Sequence, residues 1–178
     1  VLQYLAKREE DVRAFLLSKY ADRLEQTSKK DFKQLVKAVI KANRGGPHGF
    51  MDYQSSGRLG SQLYKLLAEA SGEWSTIYLC EEVIEQGAAT VQHADDSMGT
   101  IGGAVSNAFE HLFALFETEN SISEKGRKYL LKLALKQHDK KKFDGFDWGD
   151  AFRQLAALAI DNRKEAEQFI KTLEAYIK

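Results

Sequence analysis

The chain has 178 residues, 43% of them hydrophobic and 29% charged, which suits one domain with a continuous core under a solvated surface. Its 26 basic and 26 acidic residues cancel, and a balanced chain argues against a dedicated nonspecific nucleic-acid binder, which needs a basic excess to displace counterions. A single cysteine, Cys80, excludes an intrachain disulfide and a cysteine-built zinc cluster, the apolar runs are too short to span a bilayer, and no charged-then-apolar leader opens the chain.

A reducing, cytoplasmic home is the resulting expectation. A chain opening at Val1 rather than Met is expected to be a processed form or a piece of a longer protein. With one proline, Pro47, there are few forced breaks, and helical periodicity recurs almost throughout. In a first predicted helix Leu5, Val12, Phe15, Leu16, Tyr20 and Leu24 share a face. A second carries Phe32, Leu35, Val36, Val39 and Ile40 at i, i+3, i+4, i+7 and i+8, with Ser28 and Asp31 as its cap. Asn43, Arg44, Gly45, Gly46, Pro47 and Gly49 stop it.

A third predicted helix runs from about Tyr53 to Ala70 with Leu59, Leu63, Leu66 and Leu67 inward, and Ser71 and Gly72 end it. The fourth carries Ile77, Cys80, Val83, Ile84 and Val91; its residues 76–79 resemble a strand, but the chain offers no alternating partner. The fifth holds Ile101, Val105, Phe109, Leu112, Phe113 and Phe116, an aromatic density that marks it as the most buried element. Gly102 and Gly103 near its start leave room for close approach of a neighbour. Ser121 and Glu124 read as a capping box for a sixth helix with Tyr129, Leu130, Leu133 and Ala134 inward. After a loop at 140–145, a seventh starts near Asp147 and buries Phe152, Leu155, Ala156 and Ala159. Asn162 and Glu165 cap an eighth, with Ala166, Phe169, Ile170, Leu173 and Ile177 inward. The expected fold is one all-α domain over 1–178, about eight helices in stacked antiparallel hairpins, solenoid-like, with a closed bundle as the alternative. The third and fourth, fifth and sixth, and seventh and eighth helices pair. Gly49-Phe50-Met51-Asp52-Tyr53 and Gly145-Phe146-Asp147-Trp148 give two aromatic helix lead-ins that hint at a repeat.

Gly49-Phe50-Met51-Asp52-Tyr53, the turn Asp95-Asp96-Ser97-Met98-Gly99 and the Gly102-containing aromatic helix with His111 together resemble a helical region of uncharacterised bacterial proteins that often lies downstream of a SWIM-type zinc finger. The resemblance covers most of the chain after about residue 10 and implies a fold and a context but no reaction. The zinc finger itself needs three cysteines and a histidine, so this chain lacks it.

No catalytic residue, metal ligand set or cofactor motif emerges. The histidines His48, His93, His111 and His138 are scattered without helical ligand spacing, Cys80 lies on an apolar face, and the glycine-rich stretch 45–49 lacks the Lys-Ser/Thr ending of a phosphate loop. Asp95 and Asp96 read as a helix cap rather than a cation site, because no calcium-loop spacing follows. Asp52-Tyr53 and Asp147-Trp148 read as a cap plus an aromatic pin; if both aromatics were exposed on one surface they would make binding anchors.

Charge is unevenly placed. Residues 66–124 hold eleven acidic side chains and no Lys or Arg, whereas the flanks are basic. The stretch 125–142 contains Lys125, Arg127, Lys128, Lys132, Lys136, Lys140, Lys141 and Lys142, read first as a solvated face without stacking aromatics. The leading functional expectation is a noncatalytic protein–protein interaction or scaffolding module whose acidic middle and basic flanks meet oppositely charged partners or a second copy. The alternative is an accessory nucleic-acid-binding domain using 125–142 with Lys33, Lys37 and Lys41. A metal-dependent enzyme around Asp95 and Asp96 ranks last.

Overall fold

The computed structural model describes residues 28–44, 50–117, 121–144 and 146–177. Among them are seven α-helices: α1 (Lys29–Asn43), α2 (Tyr53–Glu69), α3 (Glu73–Val91), α4 (Thr100–Ala114), α5 (Glu124–Gln137), α6 (Trp148–Ala159) and α7 (Arg163–Ile177). They correspond to the second through eighth predicted helices. The first predicted helix lies outside the described residues, as do residues 45–49. The all-helical class is borne out; the extended backbone amounts to one isolated parallel bridge, Met51 to Ala94, among the described residues. No helix there is long and apolar enough to cross a membrane.

The chain forms two compact units, residues 1–111 and 112–178, with the boundary in the last turn of α4. In the first unit α1, the helix that the hairpin pairing left single, seats across α2 and α3. Its buried face is Phe32, Leu35, Val36 and Ile40, and Asn43 closes its end by donating to the Gln62 side chain at 2.7 Å. The Asp31 carboxylate reaches back to the Ser28 N–H and hydroxyl, both at 3.0 Å, as the sequence implied. Gly72, at φ 84, turns the chain from α2 into α3, a backbone that a side chain would resist.

The most buried helix is α3, not α4. Twelve of its residues are buried, from Ser75 to Thr90, and they include Glu81 and Glu82. Those acids interrupt the apolar pattern of the helix. On α4, Phe109 is buried but Phe113 is only half covered. The start of α4 lies hard against α2: a Cβ added at Gly60 would sit 2.6 Å from the Thr100 backbone, and one at Gly103 would sit 2.6 Å from the Tyr64 hydroxyl. Gly60 therefore admits a neighbouring backbone, the role expected of Gly102 and Gly103; Gly103 instead admits a side chain.

In the second unit α5 packs along α6 around Leu130, Leu133, Ala134, Phe152, Leu155 and Ala156. Ser123, not Ser121, caps α5 by accepting from the Gly126 N–H at 3.1 Å. With the helix starting at Glu124, the residue facing the free N–H groups is the one just before it. The predicted loop at 140–145 contains a 3-10 turn, Lys141–Phe143, and Phe143 is buried edge-on to Phe152 with centroids 4.9 Å apart. The expected cap of α7 is present: Asn162 accepts from the Glu165 N–H at 3.1 Å and Glu165 from the Asp161 N–H at 2.9 Å. Ile170, expected inward, is 53% exposed. Ala166, Phe169 and Leu173 already make a stripe at i, i+3 and i+7, and Ile170 falls one residue round from it.

Candidate functional site

Two of the sequence-selected segments meet. The Met51 N–H donates to the His93 carbonyl at 3.1 Å, and the Asp95 N–H donates to the Met51 carbonyl at 2.8 Å. This short bridge ties the lead-in of α2 to the turn after α3, and Met51 is its buried pin. Asp52 accepts from the Ser55 N–H at 2.7 Å and so caps α2. That N–H, with the Ser55 hydroxyl, holds the Asp52 carboxyl below its ordinary range.

Asp96 is the cap of α4. Its carboxylate accepts from the Ile101 N–H at 3.0 Å and the Gly102 N–H at 2.8 Å, and the Thr100 hydroxyl lies 3.2 Å from both that carboxylate and the Ser56 carbonyl. Asp95 accepts from the Ser97 N–H at 3.3 Å. Both carboxylates thus face backbone donors, as caps do. No group of three or more His, Cys, Asp or Glu able to hold a metal ion occurs among the described residues.

Around this frame several large apolar side chains face solvent. Phe50 and Tyr53, on either side of the buried Met51 and the capping Asp52, are each about half exposed, and Met98, in the turn beyond Asp96, is 58% exposed. Tyr64 adds a further exposed ring along α2. The exposed carboxylates of Asp52 and Asp95 lie on the same two segments. Exposed apolar side chains with a polar rim form the composition of an interaction surface.

The second aromatic lead-in is built differently. Trp148 is 2% exposed, so it is core rather than a surface anchor, and Phe146 stacks on it with centroids 4.5 Å apart and planes 12° apart. Asp147 does not cap α6 through its side chain; it adopts a left-handed conformation, φ 57. The two aromatics, both expected as pins, are placed differently: Trp148 is covered and pins its lead-in, whereas Tyr53 is exposed.

The basic stretch also divides. Arg127 is drawn inward, donating to the Ala159 carbonyl and to Glu165 at 2.9 Å, with Asp161 3.6 Å away. The Glu165 hydrogen bond raises the Arg127 pKa, and the same contact with the Asp161 N–H lowers that of Glu165. Arg127 is a structural clamp, because guanidinium geometry satisfies several acceptors at once. Lys125, Lys128 and Lys132 stay exposed on α5, as does Lys136. On α1, Lys37 and Lys41 line an open depression with Gln34, Ala38 and Ala42.

Part of the acidic middle is used internally. Glu81 and Glu82, 5% and 3% exposed, lie under α1: Glu81 pairs with Lys29, while Gln86 donates to Glu82 at 2.7 Å and to the Lys33 carbonyl at 3.2 Å. This pairing is not evident from apolar periodicity alone. The available signal was Glu81 standing four residues after Ile77 and three before Ile84, inside an apolar stripe. Cys80 is fully buried, and burial pushes its thiol pKa well up, as in an unreactive core cysteine. No family model, curated protein or solved structure matches the chain.

Proposed function

We propose that the chain is a noncatalytic protein–protein interaction or scaffolding module that binds its partner through the surface around the Met51–Ala94 bridge. The supporting observation is the exposure of Phe50, Tyr53 and Met98 on two segments pinned together by backbone hydrogen bonds. Aromatic and Met side chains are enriched at protein interfaces, and anchors on a rigid frame lose little entropy on docking. The carboxylates of Asp52 and Asp95 on the same segments favour a partner with Lys or Arg beside its apolar anchors. Phe50→Ser/Tyr53→Ser/Met98→Ser removes the apolar surface and leaves Met51 and the caps intact. Capture from a lysate of the source cells, with nuclease present, should recover a partner with the native chain and lose it with the triple variant. Recovery unchanged by the triple variant, or abolished by nuclease, sinks the proposal.

A further inference from the structure

Lys125, Lys128, Lys132 and Lys136 follow one another at steps of three, four and four residues, which places them on one face of α5, and all four are exposed. At 1.5 Å rise per residue the row is roughly 16 Å long. Between Lys125 and His138 the sequence has no acidic residue, and Lys132 has a lysine four residues away on each side. Like charges at that spacing weaken a helix, so the row works against its own element. An ordinary solvated helix alternates charge signs along such a face.

Of the carboxylates in the second unit, its arginines take four. Arg127 holds Glu165 and Asp161, Arg153 holds Asp150, and Arg163 holds Glu167. Of the four lysines, Lys128 has a partner, the exposed Glu124 one turn away; Lys125, Lys132 and Lys136 have no ion-pair partner among the described residues. The row also lacks an apolar centre. Among the described residues of this unit, the exposed large apolar side chains are Phe146, Leu158 and Ile170, none of them on α5. A protein partner needs a desolvated apolar core to bind well, whereas a phosphate polymer is held by counterion release and needs only cations in register. Without exposed aromatics for base stacking, the strip suits a duplex backbone rather than a single strand.

We propose that the exposed face of α5 is a sequence-independent docking strip for the phosphate backbone of a nucleic-acid duplex, separate from the apolar surface around the Met51–Ala94 bridge. The Arg127 clamp fixes α5 to the α6–α7 junction, so the cations are presented from a held helix.

The test is anisotropy titration of a labelled 20-base-pair DNA of arbitrary sequence at 50 to 200 mM salt, using the full chain. Four neutralised phosphates give a slope of log affinity against log salt of about −3.6, roughly a hundredfold loss over that range. Lys125→Gln/Lys128→Gln/Lys132→Gln/Lys136→Gln should abolish binding. Lys41→Gln/Lys65→Gln/Lys164→Gln/Lys171→Gln, with the same net charge, should retain it. Absence of binding at 50 mM salt, equal loss in both variants, or tighter binding of polyglutamate or single-stranded DNA than of the duplex overturns the proposal.

Discussion

Each unit seats a helix with a clamp of charged groups, and the two clamps differ in whether the cation is enclosed. In the first unit the acids are buried: Glu81 and Glu82 lie under α1, while Lys29, their cationic partner, keeps much of its side chain in solvent. In the second the base is enclosed: Arg127 and its partner Glu165 are both largely covered, and only Asp161 stays exposed. The difference follows from side-chain chemistry. A guanidinium distributes its charge over several donors and tolerates enclosure, whereas an ammonium is strongly hydrated and stays near water. The surfaces differ as well. In the first unit the exposed apolar side chains Phe50, Tyr53 and Met98 lie on two bridged segments; in the second, Lys125, Lys132 and Lys136 have no ion-pair partner among the described residues.

The largest effect is expected from Lys29→Met, which leaves Glu81 enclosed without its cation. Breaking an enclosed pair costs several kcal/mol, and the solvent contact of Lys29 reduces that to about 2 kcal/mol. Urea unfolding would measure it. Lys29→Met/Glu81→Leu should recover most of the loss, because the isolated charge is then gone; a double variant no better than the single one would break the account of the first clamp. In the second unit Arg127→Met should cost about 1–2 kcal/mol through the lost hydrogen bonds to the Ala159 carbonyl and its neighbours. Arg127→Lys should fall between, since charge returns without the fork. Equal stability of Arg127→Lys and the native chain would remove the distinction drawn between the two cations.

Acid should move the two clamps in opposite directions. Burial raises the Glu82 carboxyl, partly opposed by its hydrogen bond from Gln86 and by Lys33. The folded state therefore holds that proton more readily, and the stability it contributes is full below the ordinary carboxyl value of 4.5 and declines as pH rises through the folded value. Glu165 is the reverse: its lowered pKa gives stability above 4.5 that is lost as pH falls through the folded value. Hydrogen exchange should show α1 and α3 better protected near pH 5 than at pH 7.5, and α7 losing protection only below pH 4.5. Glu82→Gln should raise the Tm at pH 7.5 and leave it nearly unchanged near pH 4. A uniform response of both units to pH would dissolve the comparison.

The helices and most caps were legible because periodicity and capping are local. Ser28 with Asp31 and Asn162 with Glu165 occupy the positions their spacing implied. Periodicity says which face is apolar but not what covers it, so α3 was underestimated where Glu81 and Glu82 are enclosed by a helix far away in sequence. A like reason separates the two aromatic lead-ins. Phe50-Met51-Asp52-Tyr53 and Phe146-Asp147-Trp148 look alike, but in the first Met51 is buried and Tyr53 exposed, whereas in the second Trp148 is buried and Asp147 takes a left-handed turn. The acidic middle was legible as composition alone; which of its charges remain on the surface depends on pairs such as Lys29 with Glu81, 52 residues apart.

The smallest expected effects test whether the two lead-ins differ in backbone as well as in burial. Gly57 sits inside α2, where an added Cβ meets no atom within 4 Å. Gly57→Ala should therefore stabilise the chain by roughly 0.5–1 kcal/mol, since alanine loses less backbone entropy on entering a helix. Asp147 is the opposite case, a side chain held at φ 57 with no capping bond in return. Asp147→Gly removes the left-handed penalty but adds chain entropy to the unfolded state, and the two nearly cancel, for a net gain of about 0.5 kcal/mol or less. Asp52→Gly should do the reverse and destabilise, because Asp52 caps α2 from an extended backbone. Denaturant midpoints for the three variants separate the cases: if Asp147→Gly is as harmful as Asp52→Gly, the Asp147 carboxylate contributes to its helix after all, and the two lead-ins are one device used twice.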